Sequence, residues 1–297
     1  MKRLVVGALI LLVALPACGD GAVDGNRPLI IATTGIVGDL VGRVVGNEGR
    51  VETLIPTGAD PHDFSPSAPQ AARLRDAQLV VTSGLGLEGG LTDALDAAAE
   101  EGVPILELGS LLEPRRLGVE EDGAFDPHWW LDPLRGANAV DLIADRLAEI
   151  TDGGWGERAA DARAELVALD DELQGLFAGI PADARKLVVG HDAFGYFAER
   201  YDFEVVAVLI PGGATQAQPD PQALAEIAAV IEAQQIPAIF TETTLPTNIA
   251  DAVAAEVESQ VAVVTLYVGS LGEPGSGAET YAGMLRVDAE RILDALA

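Results

Sequence analysis

Three histidines are all that the 297-residue chain contains. Each lies in a short segment rich in Asp, Pro or Gly and aromatic residues: Asp60-Pro61-His62-Asp63-Phe64, Asp126-Pro127-His128-Trp129-Trp130 and Gly190-His191-Asp192-Ala193-Phe194. Neutral imidazole is the commonest side-chain ligand for a borderline transition metal, so a His-poor chain that places all three in such settings predicts one converging metal site. Asp63, Asp126, Asp132 and Asp192 flank them. Each is a candidate to accept the second ring N–H and fix tautomer and orientation, with turn or helix capping as the competing role, above all for Asp132 before Pro133. Trp129 and Trp130 are expected to wall the cleft or fill the core beneath it.

These residues meet only if the chain delivers them to one place. Short β-rich apolar runs alternate with segments of helical spacing, and the alternation occurs twice. In the first half, strands are predicted at 29–33, 50–55, 79–83 and 104–108, with helices at 36–45, 68–76 and 91–101. In the second half the strands are at 186–189, 204–209, 237–241 and 261–266, with helices at 193–200, 221–234, 247–258 and 280–296. Parallel neighbours need crossover connections, so the fold class is α/β: two lobes with parallel sheets covered by helices. Between them Leu166, Leu169, Leu173 and Phe177 recur at spacings of three and four within 155–178, which predicts one long connecting helix of roughly 35 Å. Ligands of open parallel sheets bind beyond the carboxyl ends of the strands. His62 follows the second strand, His128 the fourth, His191 the first strand of the second set and Glu242 its third, so two candidates come from each lobe.

The ends and the charge bound what the chain can be. Lys2 and Arg3, an apolar run from Leu4 to Leu15, and Leu15-Pro16-Ala17-Cys18 read as an export signal ending in a bacterial lipobox. Cys18 is the sole cysteine, so a disulfide within one chain is excluded and lipidation is its expected fate. The organisation expected is a signal peptide over 1–17, a lipidated tether over 18–27, an N-terminal metal-binding lobe over 28–150, a connecting helix within 151–182 and a C-terminal metal-binding lobe over 183–297. The product is a lipid-anchored, extracytoplasmic domain on the cell membrane, in the periplasm or at the cell surface. A net charge of −29 argues against nucleic-acid partners. With 49% hydrophobic residues the chain is long enough to bury a large core.

The three histidine segments resemble the ligand motifs of the solute-binding proteins of bacterial ABC transporters that import zinc or manganese. Asp60 to Ser67 looks like the first motif, Asp126 to Pro133 the second and Gly190 to Phe197 the third, and Ile239-Phe240-Thr241-Glu242 is similar to the segment after the penultimate strand. The resemblance spans 29–296 and implies the two-lobed fold with its long helix, an ABC permease as partner, and a monomer that hands metal over. Two departures stand out. Family members commonly carry a late Asp ligand where this chain reads Gly269-Ser270-Leu271-Gly272. The fourth position therefore falls to Glu242, to Glu273, to water or to nothing, and Glu242 is preferred because it follows a strand end. The loop 113–126, which many zinc-binding members fill with histidines, contains none.

Three imidazoles with at most one carboxylate suit Zn(2+), while Mn(2+) favours more oxygen ligands. The expected function is high-affinity capture of zinc and delivery to a membrane permease, without catalysis. A zinc hydrolase or hydratase, for which a three-histidine zinc with an open position would serve, and an adhesin lipoprotein that keeps the fold are the alternatives. A metallochaperone that loads the protein is left open.

Overall fold

A computed structural model describes residues 27–117, 123–212, 215 and 220–297. The predicted signal, Cys18 and most of the tether lie outside the described residues. Two four-stranded, wholly parallel sheets form the frame. The first contains β1 (Leu29–Ala32), β2 (Arg50–Thr53), β3 (Leu79–Thr82) and β4 (Ile105–Glu107), in the order β2-β1-β3-β4. The second contains β5 (Lys186–His191), β6 (Glu204–Ile210), β7 (Ala238–Glu242) and β8 (Ala262–Leu266), in the order β6-β5-β7-β8. The two halves thus wind alike, and each has a switch point where the chain leaves one side of its first strand and returns on the other.

Helices cover these sheets: α1 (Gly35–Val45), α2 (Ala68–Arg73), α3 (Thr92–Glu100) and α4 (Pro133–Ile150) in the first half, and α6 (Gly195–Tyr201), α7 (Pro221–Gln234), α8 (Asn248–Glu256) and α9 (Tyr281–Leu296) in the second. Their starts follow from local chemistry. Thr34 Oγ1 accepts from Val37 N, Asp132 from Leu134 N, Asp220 from Gln222 N and Thr280 from Gly283 N. Pro133 and Pro221 occupy first-turn positions where a missing N–H costs nothing. Asp132 is therefore a helix cap. The inner strands are buried on both faces: in β1, Leu29 and Ile31 pack on one side and Ile30 and Ala32 on the other.

The long helix α5 (Trp155–Phe177) joins the halves. Its buried apolar residues, Trp155, Ala159, Ala162, Leu166, Leu169, Leu173 and Phe177, recur at spacings of three and four, as the sequence predicts. At its first end Arg158 Nε donates to Val44 O at 2.7 Å, and at its last end Phe177 meets Phe197, Tyr201 and Phe203 with ring centroids 5.0–5.3 Å apart. Asp170, buried on the same helix, accepts from Arg200 Nε at 2.7 Å and from Tyr201 Oη at 3.2 Å. One apolar core runs without interruption from α1 and α4 through α5 to β5, α6 and α9, while smaller clusters lie under the outer faces of the two sheets. An apolar seam of that kind resists wide hinge motion between lobes.

Candidate metal centre

The three histidines meet where the carboxyl ends of the two sheets face each other. His191 and Glu242 are the last residues of β5 and β7, paired with Ile210 and Leu266, so they flank the switch point of the second sheet. The sequence reading ended both strands earlier and placed these residues in loops. His62 lies in the turn after β2, and His128 opens a single helical turn, Trp129–Leu131, just before α4.

His128 stands at the centre of the group. Its Nε2 lies 3.2 Å from His62 Nε2 and 3.1 Å from His191 Nε2, and one ligand atom from each ring falls within 4.8 Å of the others. Nitrogens around a tetrahedral zinc, with bonds of roughly 2.0–2.1 Å, sit about 3.3–3.4 Å apart. His128 already stands at nearly ligand spacing from both neighbours.

Two of the three rings are aimed by what holds their other side. His128 Nδ1 lies 2.8 Å from Asp126 Oδ1, which also accepts the His128 amide at 3.0 Å. The carboxylate keeps the proton on Nδ1 and leaves the Nε2 lone pair for a metal. Glu242 Oε1 lies in ion-pair contact with His191 Nδ1, a charge that favours a proton there, and its Oε2 accepts from Thr244 Oγ1 at 2.9 Å. Glu242 thus faces the outer nitrogen of His191, and the three-ligand group comprises the histidines alone. His62 is held through its backbone, its amide donating to Asp60 Oδ1 at 2.9 Å, while Asp60 Oδ2 accepts from Thr215 Oγ1 of the second lobe. Trp130 stands edge-on to His128 with centroids 5.3 Å apart and donates from Nε1 to Val268 O at 2.8 Å; Trp129 Nε1 donates to Ser83 O. Both indoles are buried, so they are wall and core at once.

Burial and like neighbours hold His62 down to about 3 and keep His128 well below the ordinary imidazole range. His191 moves the other way: burial lowers it, but the Glu242 charge and hydrogen bond outweigh burial and raise it. Glu242 is pushed up by burial and pulled down further by His191, ending low. Burial lifts Asp126 to about 6 against the His128 amide and Arg115. The site is thus two neutral imidazoles and one basic one, backed by two buried carboxylates.

Of the other sequence candidates, Asp63 is exposed and its amide donates to Asp60 O, and Asp192 is half-buried. Glu273 is exposed in a turn closed by Ser276 N to its carbonyl. Gly269 does lie by the site, with an added Cβ 3.2 Å from Pro61 Cδ. The residues that sequence reasoning missed are Thr215, whose link to Asp60 crosses the lobes, and Arg115, which reaches Asp126, neither marked by a local pattern; the role of Asp60 was also missed, though the repeated Asp-Pro-His of 60–62 and 126–128 marks it.

The family model for the zinc-uptake complex component A, periplasmic, matches residues 30–295. The chain belongs to this family. The zinc-uptake component A family consists of solute-binding transport proteins, and the relatives agree. The chain is 27% identical over 305 residues to the manganese-binding lipoprotein MntA of Halalkalibacterium halodurans, covering 100% of this chain and 99% of that one. It is 30% identical over 285 residues to the zinc-binding protein TroA of Treponema pallidum, covering 94% and 91%. The solved structure of the periplasmic zinc-binding protein TroA superposes with a TM-score of 0.84 at 27% identity, over 91% of this chain and 99% of that chain. The two-lobed fold of parallel sheets and a long connecting helix is therefore the family's fold. Among the described residues no helix is long and apolar enough to cross a membrane.

Proposed function

We propose that this protein captures zinc outside the cytoplasm and delivers it to an ABC permease, with Nε2 of His62, His128 and His191 as the ligands. The observation that carries this reading is the three-nitrogen cluster with spacings of 3.1 and 3.2 Å, two members of which are aimed by buried carboxylates. Three imidazoles favour a borderline ion over manganese, which does better with more oxygen donors. Relatives named for zinc and for manganese both exist, so metal choice has to come from the donor set of this chain. Glu242, the carboxylate expected from the sequence as a fourth ligand, serves here as the aiming group of His191, and water completes the coordination.

Loading involves local ordering. His62 is the least buried of the three rings and sits on a turn whose contacts, Gly58 N to Ser270 Oγ at 2.8 Å and Thr215 to Asp60, come from the opposite lobe. His128 and His191 form the fixed part that first meets the ion, and the His62 turn closes over it. The reading includes the expected organisation: a signal over 1–17, lipid on Cys18, lobes over 28–150 and 183–297, and a connector within 151–182. Zinc and manganese titrations of residues 19–297 beside His62→Ala, His128→Ala and His191→Ala test it. One zinc per chain, held more tightly than manganese and weakened by every substitution, is the expected result; zinc binding indifferent to these histidines overturns the reading.

A further inference from the structure

His128 reaches the cleft on an arm held by a residue that no metal would touch. Residues 113–117 and 123–126 run side by side, with Arg116 bridged to Phe125, Leu117 N donating to Ala124 O and Asp126 N to Arg115 O. This pairing sets Arg115 beside Asp126, whose side chain is 0% exposed. Asp126 uses both oxygens: Oδ1 takes the amide and ring of His128, and Oδ2 faces Arg115 Nη1 at 3.2 Å. Arg115 keeps partial access to water, and its Nε lies 3.5 Å from Glu199 Oε2 on α6.

The guanidinium passes over the head of α6, immediately after the His191 segment. A Cβ on Gly195 would lie 1.3 Å from Arg115 Nη1, 2.5 Å from its Cζ and 2.7 Å from Asp126 Oδ2. Any side chain at 195 would close the slot that Arg115 occupies. Tyr196 completes the clasp, its hydroxyl accepting from Arg115 N at 3.0 Å and donating to Asp126 O at 3.1 Å.

We infer that Arg115 is a positioning residue for the metal ligand His128, acting through Asp126, and that Gly195 is the gap through which it does so. The inference rests on His128 being a ligand. A carboxylate with no access to water requires a counter-charge, and a planar guanidinium supplies one while its far side stays solvated. Held from Oδ2, the carboxylate presents Oδ1 to His128 in one orientation, and partners of this kind commonly govern metal affinity. The clasp also couples two ligand segments, because the helix that begins after His191 shapes the seat of His128.

Zinc competition titrations of the full chain test this, using Arg115→Gln, Arg115→Lys, Gly195→Ala, Asp126→Asn, the Arg115→Gln/Asp126→Asn pair and His128→Ala. Arg115→Gln is expected to weaken zinc by about 10- to 100-fold, with part of the loss recovered by Arg115→Lys. Gly195→Ala should reproduce the loss, since its methyl evicts the guanidinium. With Asp126→Asn in place, Arg115→Gln should cost almost nothing more, a non-additivity that a purely structural arginine would not show. Equal losses in both backgrounds, or zinc binding unchanged by Arg115→Gln while His128→Ala abolishes it, overturn the role of Arg115. Binding that survives His128→Ala removes instead the site on which that role depends.

Discussion

Acidification should release the ion through one or two protons, not three. His62, near 3, and His128, lower than the ordinary range, stay unprotonated through mild acid. His191 has a raised pKa because Glu242 outweighs burial, so it holds a proton that zinc must displace whenever the pH is below that pKa. The sign follows: affinity is full above the His191 pKa and falls as pH drops through it, tenfold or about 1.4 kcal/mol per pH unit. Asp126, held near 6, adds a second proton below that pH. The slope of log affinity against pH should therefore approach one above about pH 6 and two beneath it, whereas three ordinary imidazoles would approach three. Chelator-competition titrations across this range, with proton release read calorimetrically in buffers of different ionisation enthalpy, measure the slope directly. Glu242→Gln is the decisive control. Without its charge, burial is opposed only by the Asp60 and Asp126 charges, His191 falls, and the slope above about pH 6 should shrink. Release of nearly three protons per zinc at about pH 5.5, or a Glu242→Gln slope equal to that of the parent, would refute the reasoning.

Three further outcomes are expected. Asp170→Ala should cost about 2–3 kcal/mol in chemical denaturation, less than a fully buried pair because Arg200 keeps contact with water; a loss under about 0.5 kcal/mol would contradict the pairing. Gly269→Asp should raise manganese affinity relative to zinc, because the new side chain starts beside Pro61 and Thr244 and brings an oxygen donor to the cluster. An unchanged ratio of the two affinities in metal competition would remove that argument. Leu166→Ala, at a fully buried position on α5, should cost about 2–5 kcal/mol by the same denaturation assay.

Much of this molecule is readable from its residues. Strand-helix alternation located the eight strands of the described residues; the inner strands β1, β3 and β7 stand out as continuous apolar runs because both their faces are covered, while the edge strand β2 (Arg50–Thr53) is no apolar run at all. The spacing of Leu166, Leu169, Leu173 and Phe177 announced α5, whose buried stripe continues that set back through Ala162 and Ala159 to Trp155. Strand ends were misplaced at His191 and Glu242 because polar residues look like loop, yet central strands carry them as their last paired residues. The histidines were legible because imidazole is scarce here and each sits at or beyond the carboxyl end of a strand. The direction in which Glu242 points was not. A carboxylate at a strand end can face an ion or the back of a ligand, and only the placement of His191 on the neighbouring strand decides it. Arg115 and Thr215 were equally hidden, their partners being 11 and 155 residues away.

The apolar seam that runs through α5 has a consequence for how the whole chain endures. Neither half owns a complete interior: cut at the connecting helix, each would present to water the faces that α4, α6 and α9 now share. The two lobes should then melt in one cooperative transition, and a protease that gains entry to either would find both undone. An ion clasped at the cleft adds its binding free energy to that single transition. Loaded protein should therefore be more durable throughout its length than empty protein, including at segments far from any ligand, so that occupancy of the cleft becomes readable from the lifetime of the whole chain.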